Sequence, residues 1–408
     1  MSFGIALSGI NAAQTDLNVT ANNIANSATN GFKQSRSEFA ELFAVSPQGV
    51  SSNQFGNGTK VAAVAQQFTQ GTINNTANNL DLAISGQGFF VLSDGGARAY
   101  TRAGAFQVDN AGYVVNSQNQ RLQVYPAGTG NFNTSTLSDL RLVTSESSPQ
   151  ATSKIETVFN LPANVAAPTT TPFDPATATS YNEARSTTIY DSLGAAHTAS
   201  MYFVKTANPN EWSMHVYVDG NAVGGAQTLT YSSTGELTAP ANGQVALPAY
   251  GPADGLATGA APITLSFDLA GTTQYGDKFS MTSNYQDGYT TGRLIGIDID
   301  STGAVQARFT NGRSTLLGQV AMASFSNPQG LQQLGNTNWS ETNASGQPLF
   351  GQAGGSGLGL VQSGALEASN VDITAQLVNM ITAQRNFQAN AQMIQTADQV
   401  TQTIINIR

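Results

Sequence analysis

Three stretches carry residue types that could do chemistry. His197 closes the run Asp191-Ser192-Leu193-Gly194-Ala195-Ala196-His197, and an imidazole near a hydroxyl and a carboxylate is the raw material of a nucleophilic triad. The spacing is that of a turn running into the strand Thr198 to Lys205, with no nucleophile elbow around Ser192. It reads as a turn followed by a rim histidine. Asp298-Ile299-Asp300-Ser301-Thr302-Gly303 begins like a calcium loop, but the position that should carry the closing Glu is Phe309; a hairpin turn between two strands accounts for it. Gly354-Gly355-Ser356-Gly357-Leu358-Gly359 resembles a phosphate loop in glycine content alone. No strand precedes it, no Lys follows, and it does not open a helix directly, so it reads as a hinge. His215, in Glu211-Trp212-Ser213-Met214-His215-Val216-Tyr217, is an ordinary strand position, and no two carboxylates are spaced as an acid–base pair. The sequence therefore assigns no catalytic, cofactor-binding or metal-binding residue and implies no cofactor.

Composition agrees. The 408 residues hold 10% charged residues, no Cys and two His, whereas ordinary soluble domains are about a quarter charged. Disulfides, thiolate nucleophiles and thiolate metal sites are excluded together. Sixteen basic residues against 25 acidic ones leave a net charge of −9, and the five lysines are scattered. Nucleic acid and anionic membrane surfaces, which need clustered Lys and Arg, are poor partners for such a chain. No apolar run approaches a membrane span, and Met1-Ser2-Phe3-Gly4-Ile5 lacks the basic and apolar regions of a cleaved signal peptide.

The elements that would position these residues fall into two kinds. Residues 3 to 28 are apolar at Phe3, Leu7, Ile10, Ala13, Leu17, Ala21 and Ile24, the three-and-four spacing of an amphipathic helix, with Asn30-Gly31 as a left-handed stop. Ser369-Asn370-Val371-Asp372 reads as a capping box opening a second helix through Leu377, Met380, Ile381, Phe387, Ala391, Ile394, Ile404 and Ile405, with Arg408 at the negative end of its dipole. Between them the period is two: Leu80 to Ile84, Gly296 to Asp300 and Val305 to Phe309 alternate, and Asp94-Gly95-Gly96, Asp109-Asn110-Ala111-Gly112, Asp219-Gly220 and Asn311-Gly312 supply turns. The expected fold is mainly β with α-helical termini: nested sandwich- or barrel-like β domains carried on a coiled-coil-like pair of N- and C-terminal helices. The expected organisation is a terminal helical assembly domain (1–32 and 364–408), linkers (33–70 and 351–363), an inner β domain (71–146 and 286–350) and an inserted outer β domain (147–285).

Both terminal helices carry an apolar stripe that needs a cover. The two could pack on each other, or on the β domain, within one chain; but a two-helix hairpin buries one seam each, so packing between subunits is favoured. Leu7, Ile10, Leu17, Ile24, Leu377, Met380, Phe387 and Ile394 are the expected self-assembly seam.

Asn22-Asn23-Ile24-Ala25-Asn26-Ser27-Ala28-Thr29-Asn30-Gly31-Phe32-Lys33 resembles the N-terminal signature of the bacterial flagellar rod and hook axial proteins. Gly364-Ala365-Leu366-Glu367-Ala368-Ser369-Asn370-Val371-Asp372, with Leu377 to Ile381 and Gln384 to Phe387, resembles their C-terminal signature, and Leu80 to Phe90 is similar to their shared strand motif. The long insertion, with Ile189-Tyr190-Asp191-Ser192-Leu193-Gly194, His197 and Met201 to Lys205, resembles the outer domain of the hook branch, as does the linker at Phe55 to Val61 and Phe68 to Thr72. The resemblance implies a structural subunit, not an enzyme. Such a subunit leaves the cell through the flagellar type III export apparatus and polymerises under a hook cap into a curved, flexible tube. That tube is a universal joint transmitting torque from rod to filament, with the rod, the hook cap and the hook–filament junction proteins as partners. A distal rod or hook-associated protein is the alternative within the family. A secreted β-rich carbohydrate-active or carbohydrate-binding protein is the alternative outside it.

Overall fold

Twenty-four residues without Pro form the first helix, α1 (Ser2–Ala25), and Gly31 ends its trailing turn with φ 69°, a conformation that a Cβ would strain. The computed structural model describes residues 2–42, 56–128, 131–142, 146–256, 259–355 and 357–406. Phe55, Ser356, Arg408 and the side chain of Ile404, to which the sequence assigns motif, hinge, helix-end and stripe positions, lie outside the described residues. The second helix, α2 (Ile373–Asn406), runs for 34 residues, about 51 Å at 1.5 Å per residue. Its start departs from the expected capping box. Asp372, not Ser369, caps it, its Oδ1 accepting from the Thr374 and Ala375 amides at 2.8 and 3.2 Å. Ser369 instead accepts from Val371 N–H, in a stretch that Asn370 ties across to Thr69.

The helices pack against each other, antiparallel, through small side chains. Ala6, Ala13 and Thr20 are buried at seven-residue intervals on α1, and Gln376 and Ala383 at the same interval on α2. A Cβ on Gly9 would strike the Asn390 amide, and fourteen residues along each helix Asn23 Nδ2 donates to Gln376 Oε1 at 3.2 Å. With that register the last turns of α2 extend beyond the first residue of α1.

The β portion divides into two units. In the first (Met1–Val143, Gly296–Arg308 and Ser314–Arg408), a 13-stranded sheet is buried on both faces. In the strand Phe89–Asp94, Phe90 and Leu92 face a core with Leu122, Val124 and Val320. Phe89 and Val91 face another with Tyr100, Phe325 and Trp339, so this strand reads as an unbroken apolar run. Segments expected as bare connectors carry strands: Ser35–Glu41 pairs antiparallel with Thr59–Gln66, and Leu360–Ser363 pairs with Leu82–Ser85. In the glycine-rich stretch Leu358 enters the core and Gly359 N–H donates to the Gln87 carbonyl.

In the second unit (Thr144–Ile295 and Phe309–Arg313) a 5-stranded and a 6-stranded sheet share one core. Alternation is strict there: Trp212, Met214, Val216 and Val218 of Glu211–Val218 point in, and Met201 and Phe203 of the adjoining strand lie opposite. Trp212 is fully buried, its indole N–H donating to Gln274 Oε1 at 3.2 Å. Trp212→Ala empties the largest side chain of this core. We expect a loss of about 3–5 kcal/mol, read by denaturant unfolding, with hydrogen-exchange protection falling in the second unit and unchanged in the strands of the first.

Candidate functional site: the terminal helix pair and its anchor

The helix pair is tied to the first β unit by charges removed from water. Glu367, six residues before α2, is fully buried. Its Oε1 accepts from Lys33 Nζ at 2.6 Å and from the Gly71 amide at 2.9 Å, and its Oε2 accepts from an Arg102 guanidinium nitrogen at 3.1 Å. Lys33 also donates to the Thr69 carbonyl at 2.7 Å, and Arg102 to the Gly86 carbonyl at 2.7 Å, its guanidinium lying 5.6 Å from the Phe89 ring centroid. Burial pushes the Lys33 ammonium below its ordinary value while Glu367 pulls the other way, and the same opposition lowers Arg102. Two cations thus share one carboxylate, and the carboxylate's backbone carbonyl accepts from Gly31 N–H at 2.7 Å. The last turn before the N-terminal strand, the approach to α2 and the sheet of the first unit meet at this one side chain.

An amide network extends the anchor along the helices. Asn23 donates to the Ser35 carbonyl and accepts from Ser35 N–H at 2.8 and 2.9 Å, and Gln376, its partner across the pair, reaches Gln34. Asn370 accepts from Gln34 N–H and donates to the Gln67 carbonyl and Thr69 Oγ1, each at 2.8 Å. The segments that resemble the N- and C-terminal signatures are therefore one spatial unit. In the sequence Asn23, Lys33 and Glu367 are motif letters without an assigned role, and Arg102 and Gln376 lie outside the motifs. The available signal was chemical: Lys33 is one of five lysines, and Glu367 interrupts an otherwise uncharged Ala-Leu-Glu-Ala run.

Of the expected seam residues, Ile10, Leu17, Ile24, Met380, Phe387 and Ile394 are half-buried along the pair, with Met380, Phe387 and Ile394 seven residues apart on α2. Leu7 and Leu377 remain 45% and 47% exposed. Beside them Phe3, Ile373, Val378 and Ile381 are exposed, and so are Val400 and Ile405 toward the free end of α2. A cleft of about 520 Å³ lies between Phe3 and Met393, Ala397 and Val400. Among the described residues no helix is long and apolar enough to cross a membrane.

The stretches first weighed for chemistry lie elsewhere. Asp300 Oδ1 accepts from Thr302 and Ala304 amides, and Asp298 pairs with Arg308 at 2.6 Å, so both carboxylates serve a hairpin. His215 stacks on Phe173 with ring centroids 4.1 Å apart, and burial lowers its pKa. His197 differs from the expected rim residue. It is 8% exposed and lies between Asp191 and Asp219, while Ser192 Oγ accepts from Ala261 N–H. The hairpin register carries Asp219 back to it.

A mainly β subunit with paired terminal helices, joined through buried signature residues, is the architecture of the flagellar axial proteins. Residues 3–33 match the flagella basal body rod protein family, 83–165 the flagellar hook protein FlgE/F/G D1 domain, 160–289 the flagellar basal body protein FlaE D2 domain, and 362–407 the flagellar basal body rod FlgEFG protein C-terminal family. The chain is 40% identical to flagellar hook protein FlgE of Escherichia coli K12 over the whole of both chains, and 34% identical to that of Borreliella burgdorferi over 98% of each. The crystal structure of Helicobacter pylori flagellar hook protein FlgE2 shares the fold, with a TM-score of 0.53 and 13% identity over 72% of this chain and all of that one. The chain belongs to the flagellar hook protein family and is a structural subunit of the hook.

Removing one partner of a buried ion cluster leaves uncompensated charge and costs about 3–5 kcal/mol. Glu367→Gln strands two buried cations. We expect it to lower the stability of the first unit by that amount in denaturant unfolding and to reduce amide protection at Gly71, whose acceptor is the substituted side chain. Because Lys33 is an exposed cation in the unfolded chain, Lys33→Met in the Glu367→Gln background should recover part of the loss.

Proposed function

We propose that this subunit assembles with copies of itself through the outer faces of its terminal helices. The product is a curved flexible tube that acts as a universal joint and transmits torque from rod to filament. Leu7, Ile10, Leu17, Ile24, Leu377, Met380, Phe387 and Ile394 form or border the seam. One observation carries the reading: the α1–α2 contact uses Ala, Gly and amide side chains, so Phe3, Leu7, Ile373, Leu377, Val378 and Ile381 stay uncovered within the chain. Exposed apolar surface of this extent on a soluble chain marks an interface. The overhanging end of α2 makes that interface head-to-tail, and a head-to-tail contact that does not close yields a helix.

Residues 1–32 and 364–408 act as the assembly domain in this scheme, 33–70 and 351–363 as its connections, and 71–146 with 286–350 and 147–285 as the inner and outer layers. The rod, the hook cap and the junction proteins are the neighbouring partners. The chain works outside the cell, reached through the type III export apparatus, and it is not an enzyme. The low charge of its surface suits sliding between neighbours, since exchanging amide and hydroxyl partners disturbs less than separating desolvated ion pairs.

A chain lacking residues 371–408 should keep a folded, protease-resistant β core and form no tubes by electron microscopy under conditions where the full chain does. Leu377→Glu, on the uncovered face, should leave the monomer's unfolding midpoint within about 0.5 kcal/mol of wild type and also prevent tubes. Tubes from either variant would refute the role given to the helices.

A further inference from the structure

Each terminal helix carries a charge without a partner among the described residues. Asp16 is the only charged residue of α1, and Arg385 and Asp398 are the only two of α2. Asp398 accepts from Gln402 Nε2 at 3.0 Å, one turn along. Asp16 and Arg385 have neither an ion pair nor a side-chain hydrogen bond among the described residues. Both lie well inside their helices, beyond the reach of the dipole at either end. They stand at the same level of the pair. The register that sets Gly9 against Asn390 and Asn23 against Gln376 places residue 383 opposite Asp16, and Ala383 is buried there. Arg385 points away from that contact. It lies one turn beyond Ile381 and two beyond Val378, on one face with them, and all three are exposed. A lone cation therefore sits within the uncovered apolar face of α2.

Asp16, half-buried, faces a cleft instead. With Thr20, Ser37, Gln67, Gln376 and Asn379 it lines a polar pocket of about 200 Å³ between the helix pair and the strand Ser35–Glu41. Two residues of that wall carry buried polar atoms with no hydrogen-bond partner, Ser37 Oγ and Gln67 Nε2. Arg36 also borders the pocket, but its guanidinium is paired with Glu38 at 2.8 Å. The pocket thus offers a carboxylate and an unused hydroxyl, while the one cation beside it is already engaged. It has room for a side-chain head group, a water's share of liquid volume being about 30 Å³.

We propose that the Arg385 side chain of one copy enters the Asp16 pocket of the next, docking the outer face of α2 on one subunit beside α1 on its neighbour. This pairing presupposes assembly through the terminal helices and adds the charge that sets its register. A guanidinium carries five N–H donors in a planar fork and no acceptor, so it can pair with a carboxylate in bidentate fashion and still donate to Ser37 Oγ. Sealing Arg385 against a purely apolar neighbour would strand its charge away from water. Cation and pocket lie on different faces of the same chain, so every copy presents one of each. Such a heterologous contact runs on from copy to copy, as a helical polymer requires.

The test is charge reversal in the full-length chain, with tubes scored by electron microscopy and their threshold concentration measured by sedimentation. Asp16→Lys and Arg385→Glu should each raise that threshold at least about tenfold. Both reversals in one chain should bring it back near the wild-type value. Asp16→Asn, which keeps the shape and removes the charge, should leave the unfolding midpoint of the monomer unchanged. Tubes from either single reversal at the wild-type threshold would overturn the pairing and leave assembly through the helices standing. So would a double variant no better than the singles, or rescue of Arg385→Glu by Asp398→Lys in place of Asp16→Lys. A midpoint lowered by Asp16→Asn would mean that a group of the same chain, Arg36 above all, already holds the carboxylate, and would overturn it as well. A wild-type chain that forms no tubes would overturn the assembly itself and the pairing with it.

Discussion

The junction between helices and β sheet depends on one buried carboxylate. Glu367 holds two cations that burial alone would discharge, and its own backbone carbonyl and Oε1 accept from the Gly31 and Gly71 amides. Burying three ionised groups is not a route to high stability, since apolar residues of the same volume would do as well. Its use is specification. An apolar contact tolerates a slipped register, whereas a displaced Glu367 would leave Lys33 and Arg102 unpaired. The helices are thereby set in one place on the first unit, and the amide network of Asn23, Gln34, Asn370 and Gln376 carries that placement up the pair.

The division of labour between helix faces follows from side-chain size. Alanine and glycine at the α1–α2 contact let the backbones approach closely while burying little apolar area. The larger side chains, pushed to the flanks, stay available. A pair packed through leucines would be stabler alone and would have less to offer a neighbour. The two β units also expose single large apolar side chains, Leu193, Ile295, Leu334 and Leu349 among them, but each unit is closed around its own core. The second has a tryptophan-centred core shared by two sheets, and the 13-stranded sheet of the first is covered on both faces.

Much of this was legible in the residues and some was not, for identifiable reasons. Helix and strand identity follow from local periodicity, so α1, α2 and the strands around Asp219-Gly220 and Asn311-Gly312 stand where the sequence puts them. The close α1–α2 contact itself carries little local signal, because Ala6, Gly9 and Thr20 add almost nothing to an apolar stripe. Glu367 and Lys33 are 334 residues apart, and no local pattern announces that a glutamate will be buried. His197 lay nearer the limit: the Asp219-Gly220 turn signal fixes a hairpin whose register returns Asp219 to it, but the distance to Asp191 and the burial of both needed the fold.

The sequence separation within the anchor has a kinetic meaning. Closing a loop of that length from an unfolded chain costs about 5 kcal/mol of chain entropy, more than a single pair returns. The antiparallel match of Leu82–Ser85 with Leu360–Ser363 changes the problem, because once made it shortens the loop between Glu367 and its cations, most of all to Arg102. Because a chain made from its N-terminus presents Lys33 and Arg102 long before Glu367, the junction can be completed only when the approach to α2 has been made.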